Sequence, residues 1–82
     1  MRVKQINLDD EGMPESIVVH MSHDEAVYLA KLTGEQNWQS SEEIMPGGAP
    51  LNSGVFDSLS GEVFNRYYED GVKDAEQAAR SK

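Results

Sequence analysis

The chain has 82 residues, which is enough for one small domain. Its 15 acidic and 7 basic residues give a formal net charge of −8, and this charge disfavours direct binding to nucleic acid. Because the chain has no cysteine, neither a disulfide framework nor a thiolate zinc site can stabilise it. Burial of an apolar face between subunits can supplement so small a core, so we expect a homo-oligomer, in the simplest case a homodimer.

The hydropathy pattern predicts no membrane partner. No apolar run approaches the roughly 20 residues that cross a bilayer. Residues 1–5 also lack the apolar segment of a signal peptide. Together with the absence of cysteine, these features predict a soluble cytoplasmic protein.

The first 21 residues have the pattern of a β-hairpin. Two stretches, 2–8 and 15–21, carry apolar residues at every second position over part of their length and flank an acidic turn that contains Gly12. A short antiparallel pair needs a cover over its apolar face. We therefore expect the helices to cover one face of the hairpin, which carries Ile6, Leu8, Ile17, Val19 and Met21.

A helix is predicted over residues 22–33. Ser22 and Glu25 have the spacing of a capping box, in which each side chain accepts a hydrogen bond from the backbone amide of the other residue. Gly34 is expected to end the helix as a C′ residue in the left-handed conformation. Residues 34–51 are rich in Gly and Pro and predict a long loop, with Trp38 as its one large anchor.

A second helical region is predicted over residues 52–70, followed by a polar tail over 71–82 that forms either a short helix or frayed chain. Gly61 leaves open whether the region is one helix or two. The predicted core stripe consists of Phe56, Leu59, Val63 and Tyr67, with Phe64 beside it. The fold class is therefore α+β: an N-terminal antiparallel β-hairpin packed against two main helices, with a long loop between the helices.

The only ligand-like cluster is His20, His23 and Asp24. Its spacing spans a strand end and a helix start, so the two imidazoles need not converge on a metal ion. The chain also lacks a Gly-x-Ser-x-Gly nucleophile motif and a phosphate-binding loop. We therefore expect no metal, no cofactor and no enzymatic activity, with a metal-dependent enzyme as an open alternative.

The best interaction candidates are aromatic residues beside a cation. Arg66, Tyr67 and Tyr68 are residue types that are enriched at interface hot spots, and Trp38 joins them as a candidate. Because adjacent tyrosines on a helix cannot share one face, Tyr67 is expected to extend the core stripe. Tyr68 then either contacts a partner or flanks the core with its hydroxyl in water.

Several motifs together resemble small uncharacterised accessory proteins of actinobacterial tailed phages. They are the strand 16–21, the following Ser22-x-x-Glu25-Ala26, the Leu-Thr-Gly helix end, and the stretches 55–59 and 63–68. The resemblance carries no catalytic residues. It implies a phage or prophage setting and expression in the host cytoplasm.

The function that the sequence favours is non-catalytic binding of a host or phage protein, which modulates a host process. Two further classes stay open. One is an acidic nucleic-acid mimic that blocks a DNA-binding enzyme, and the other is a small-ligand sponge that counters host defence. A nucleic-acid mimic should present a stripe of carboxylates, whereas the acidic residues of this chain are spread over a turn, a helix start and a loop.

Overall fold

The computed structural model describes residues 1–81 and has an α+β fold, as predicted. Strands β1 (Arg2–Leu8) and β2 (Pro14–His20) form an antiparallel two-stranded sheet. The helices follow in the order α1 (His23–Gly34), α2 (Trp38–Ile44), α3 (Gly48–Asp57), a π-helix (Ser58–Phe64), α4 (Asn65–Tyr67) and α5 (Val72–Arg80). The run from α3 to α4 is continuous in the chain, so the predicted second helical region is one run that contains a π-helical segment.

The hairpin turn is organised by its first acidic residue. The Asp9 carboxylate accepts hydrogen bonds from the amides of Glu11 and Met13, at 2.9 and 3.0 Å. Gly12 has φ +82°, the left-handed conformation that glycine adopts without steric cost. The predicted turn is therefore present, and its conformation is set by local hydrogen bonds.

A bulge at Lys4 determines which side chains of β1 lie on the same face of the hairpin. The register pairs Val3 with Val19 and then Gln5 with Val18, which leaves Lys4 without a partner. Directly paired residues share a face, and so do residues two apart in a strand. Val3 therefore shares a face with its partner Val19, and Val19 shares that face with Ile17 and its partner Ile6. In a regular strand, the odd spacing between Val3 and Ile6 would place them on opposite faces.

The start of α1 is as predicted, whereas its end is not. The Ser22 hydroxyl accepts a hydrogen bond from the Glu25 amide, and the Glu25 carboxylate accepts one from the Ser22 amide. Gly34 is the last helical residue and has no positive φ, so it is not a left-handed cap. A β-carbon there would lie 3.0 Å from Cε2 of Phe56, and the glycine therefore allows α1 and α3 to pack closely.

The predicted loop over 34–51 is wrong because it contains α2 and the start of α3. Asn37 and Ser40 form a second capping box at the start of α2. The Glu42 carboxylate then accepts hydrogen bonds from the amides of Gly47 and Ala49, at 3.1 and 2.7 Å, so it satisfies orphan donors at the start of α3. Gly47 at the start of α3 has no side chain that could cap it, so a side chain from the preceding helix caps α3 instead.

The π-helix changes which side chains face the core. Its i→i+5 hydrogen bonds accommodate about one more residue per turn than an α-helix. Phe64 is consequently buried and Tyr68 half-buried, whereas Val63 and Tyr67 are exposed. The predicted stripe is therefore wrong from Val63 onwards, because Phe64 and Tyr68 face the core in place of Val63 and Tyr67.

The core is small and lies among the helices. Its buried members are Val27, Ala30, Phe64 and Ala75, and Ala26, Leu59, Tyr68 and Val72 pack around them. The predicted tail contains α5, which packs against α1 and is joined to it by an ion pair of 3.1 Å between Lys31 and Glu76.

The predicted packing of the hairpin against two helices does not occur. Within residues 1–81, neither strand packs extensively against a helix, and every strand residue except Asn7 is exposed. The radius of gyration is 14.6 Å, whereas a compact domain of this length would have about 12 Å. The hairpin therefore projects from the helical part of the molecule.

We predict that Gly48→Ala destabilises the corner between α2 and α3. The new β-carbon would lie 2.4 Å from the Ser41 carbonyl oxygen, and such overpacking typically costs about 1–3 kcal/mol. Gly54→Ala is the matched control because a β-carbon there meets nothing within 4 Å. This change should raise the free energy of unfolding, by at most about 1 kcal/mol. Urea unfolding should separate the two variants, and equal effects would contradict the close approach at Gly48.

We also predict an acid-sensitive contribution from Glu25. The Met1 amine, followed by the amide and hydroxyl of Ser22, lowers the pKa of Glu25 from 4.5 to about 2. The folded state therefore binds this proton less readily than the unfolded state, so the stabilisation is present above pH 4.5 and is lost as the pH falls towards 2.

Glu25→Gln should accordingly lower stability at neutral pH and weaken the loss of stability on acidification. Urea midpoints measured along a pH series would test this, with Glu62→Gln as a control that removes an exposed carboxylate outside the caps. An unchanged pH dependence in Glu25→Gln would contradict the prediction.

Candidate functional site

The predicted binding residues divide into exposed and internal groups. Trp38, at the start of α2, is 67% exposed, and Tyr67, in α4, is 78% exposed. Arg66 is exposed beside Tyr67. These three side chains are therefore accessible to a partner, whereas Tyr68 turns towards the core.

Tyr68 forms the end of a short chain of hydrogen bonds. Nδ1 of His23 lies 2.9 Å from Oδ1 of Asp24, and Nε2 of His23 lies 2.8 Å from the Tyr68 hydroxyl. A carboxylate can only accept, so in the neutral imidazole Nδ1 carries the proton and Nε2 accepts from the tyrosine. The His23 ring also meets Phe64 edge-on, with 5.8 Å between ring centroids and an interplanar angle of 82°.

This arrangement gives His23 a structural role. It joins the first turn of α1 to the residue that follows α4, over a core phenylalanine. Neither His23 nor Tyr68 lines any of the four surface cavities described for residues 1–81. Of the two readings of Tyr68, the structure supports the one in which the ring flanks the core, although the hydroxyl bonds to His23 instead of lying in water alone.

The weak metal candidates are not brought together. His20 ends β2 opposite Arg2, whereas His23 is directed to Tyr68. Across residues 1–81, no three His, Asp or Glu side chains are grouped so that they could hold a metal ion.

One face of the hairpin is apolar and not covered by a helix of residues 1–81; it consists of Val3, Ile6, Leu8, Ile17 and Val19. Ile6 is 54% exposed and Ile17 is 58% exposed. The opposite face is polar around Asn7 and Ser16, whose side chains are joined by a hydrogen bond of 3.0 Å. The hairpin is therefore amphipathic, with its apolar side in solvent.

A second apolar surface lies on the helices. We call it the helical groove, and define it by Leu29, Ile44, Met45, Leu51 and Val55. These residues line a cavity of about 310 Å³ between α1, α2 and α3. Leu29 also lines a neighbouring cavity with Tyr28, Met1 and Met21, so the apolar surface is continuous from the groove to the base of the hairpin.

Acidic residues predominate around both surfaces. Strand β1 carries Arg2 and Lys4, but the turn and β2 carry four acidic residues, so the hairpin as a whole is acidic. The residues that line the groove cavity are uncharged. Residues 32–65, which supply most of the groove, contain five acidic residues and no Lys or Arg.

Sequence reasoning identified most hairpin residues of the apolar face but not their exposure, and it missed the groove. Alternation shows that one side of a strand is apolar, but it does not show what covers that side. The groove depends on α2, which was hidden by the surrounding Gly and Pro. The spacing of Asn37 and Ser40 is the signal that could have revealed this helix.

Comparisons with protein-family models, with curated proteins and with solved structures found no match for the chain. Within residues 1–81, no helix is both long enough and apolar enough to cross a membrane.

We predict that Tyr68→Phe lowers stability while Tyr67→Phe does not. The first change removes the hydroxyl that bonds to Nε2 of His23 and should cost about 1 kcal/mol, a typical net value for one hydrogen bond. The second removes the hydroxyl of a side chain that is 78% exposed. Urea unfolding of both variants would test the difference, and equal stabilities would contradict a structural role for the contact with His23.

Proposed function

We propose that the chain is a non-catalytic protein-binding protein and that the hairpin is its docking element. The observation that carries this proposal is the exposed apolar face of the hairpin, which no helix of residues 1–81 covers. Monomeric proteins rarely expose large contiguous apolar patches, and such patches often mark interaction sites.

The energetic gain from covering this face supports the proposal. Each of its five side chains is partly exposed, and completing the burial of one is worth on the order of 1 kcal/mol. A hairpin of two strands is marginally stable by itself, so docking would also stabilise the hairpin. Binding and the ordering of the hairpin therefore favour each other.

The apolar face itself defines the chemistry of the partner. The hairpin carries both basic residues, on β1, and acidic residues, in the turn and on β2, so its charge does not select one sign of partner surface. A partner surface that is apolar at its centre would complement the apolar face of the hairpin. Trp38, Arg66 and Tyr67 offer a second accessible set of hot-spot residue types, and their part in binding remains a prediction.

The phage setting, the cytoplasmic location and the modulation of a host process remain predictions from the sequence. They guide the choice of lysate for the experiment below.

We predict that Ile17→Glu abolishes protein capture and that Val18→Glu does not. The two neighbours belong to one strand and have similar exposure, 58% and 48%, but they lie on opposite faces of the hairpin. Tagged variants would be used to capture proteins from an actinobacterial lysate that also contains an untagged copy of the chain. Any specific partner should be retained by wild type and Val18→Glu and lost by Ile17→Glu. Identical capture by all three proteins would contradict docking through the apolar face.

A further inference from the structure

We infer that the chain has a small-molecule site away from the hairpin, in a cavity that takes one edge of a neutral sugar ring. The cavity has a volume of about 100 Å³ and lies between α3, the start of α2 and the connection from α1 to α2. Such a site is separate from the apolar face of the hairpin and does not depend on its protein partner. We call it the polar cavity, and define it by the side chains of Gln36, Asn37, Trp38, Ser41, Asn52 and Ser53.

The polar cavity has a buried floor and an exposed rim. Ser41 is 4% exposed, and Ala49, which also lines the cavity, is 2% exposed, so these two residues form the floor. Trp38 is 67% exposed, and Ser53 is also exposed, so both lie at the rim. A ligand can therefore enter past the indole and reach the floor at Ser41.

The Ser41 hydroxyl is the observation that carries the inference. Ser41 is the one buried polar residue among residues 1–81, and within that range its backbone bonds to Asn37 and Met45 while its hydroxyl makes no hydrogen bond. Sealed polar side-chain atoms in this part of the chain all have partners, so the hydroxyl is open to a cavity. Ser41 lines the polar cavity and the helical groove. A buried hydroxyl without a partner destabilises the fold, and a ligand that bonds to it removes this cost.

Two asparagines add a donor and an acceptor to the polar cavity. Oδ1 of Asn37 accepts a hydrogen bond from the Ser40 amide at 2.8 Å, which leaves its Nδ2 hydrogens for a ligand. Nδ2 of Asn52 donates to the Thr33 carbonyl oxygen at 2.9 Å, which leaves its Oδ1 as an acceptor. Because backbone amides only donate and carbonyl oxygens only accept, these bonds define the orientation of both carboxamides.

The lining of the polar cavity disfavours charged ligands. None of its lining residues is charged, so a ligand ammonium or phosphate would lose water without gaining an opposite charge. Residues 32–65 contain five acidic residues and no Lys or Arg, which adds repulsion against an anion. The ligand that fits this lining is therefore neutral.

A sugar ring matches the groups that remain. Its hydroxyls both donate and accept, as the mixture of serine hydroxyls and carboxamide atoms requires. Its weakly positive C–H groups can pack against the negative face of the Trp38 indole at the rim. A volume of about 100 Å³ is that of about three water molecules, so the cavity takes one edge of a ring while the other edge stays in solvent.

The first test is a titration of the full chain with the methyl glycosides of glucose, galactose and mannose. Trp38 is the one tryptophan of the chain, so its fluorescence and its indole N–H signal in NMR report on the rim. We expect at least one glycoside to bind with a dissociation constant of about 2 mM, the affinity of about twelve non-hydrogen atoms at the efficiency of ordinary small ligands. Inorganic phosphate and cytosine are the charged and the planar control and should not bind. No response to any glycoside, or a response to cytosine alone, would overturn the inference.

The second test uses Ser41→Ala to separate binding from folding. The change removes a hydroxyl that has no partner, so the free energy of unfolding should not fall, whereas the affinity for the glycoside should fall roughly tenfold through loss of one hydrogen bond. Ser58→Ala, at an exposed serine outside the polar cavity, is the matched control and should bind like wild type. Unchanged affinity in Ser41→Ala would overturn the inference. Lower stability of Ser41→Ala would overturn it as well, because the hydroxyl would then already have a partner in the folded chain.

Ile17→Glu distinguishes this site from the proposed function. Ile17 belongs to β2 and does not line the polar cavity. This variant should therefore lose protein capture and keep its affinity for the glycoside, whereas Ser41→Ala should keep protein capture. Loss of glycoside binding in Ile17→Glu would contradict a site in the polar cavity.

Discussion

The burial of Phe64 is the contact on which the helical part of the molecule depends. It is the one large side chain among residues 1–81 that is less than 2% exposed. Ala30 of α1 and Ala75 of α5 are fully buried around it, and their small size lets the helices approach closely. The π-helix brings Phe64 into this position by shifting the inward-facing residue by one. The same shift brings Tyr68 within reach of His23 and turns Tyr67 outwards.

A core of this kind limits what else the chain can bury. Three of the five buried apolar residues are alanines, so the helices contribute little apolar area to one another beyond Phe64 and Val27. Small domains are generally marginal because they bury a small fraction of their surface. The apolar residues of the hairpin and the groove stay exposed in the single chain and do not contribute to its free energy of unfolding. Association with a partner would bury them and so add stability.

Local polar contacts hold the elements in register while these apolar surfaces stay exposed. Asp9 organises the hairpin turn, and capping boxes begin both α1 and α2. Glu42 connects α2 to the start of α3. Because such contacts act within a few residues, they define the shape of the hairpin and of the groove without a large core. A surface that is shaped in advance loses less conformational entropy when it binds a partner.

The sequence by itself determined the features that depend on neighbouring residues: the α+β class, the turn at Gly12, the capping box of Ser22 and Glu25, and the amphipathic alternation of the hairpin. Only the tertiary structure decided the contacts between distant residues. Glu42 replaces a local cap for α3, Gly34 makes room for Phe56, and the π-helix selects Phe64 and Tyr68 for the core. The exposure of the hairpin belongs to the same group, because alternation shows which side of a strand is apolar, whereas the packing of the remaining elements decides whether anything covers it.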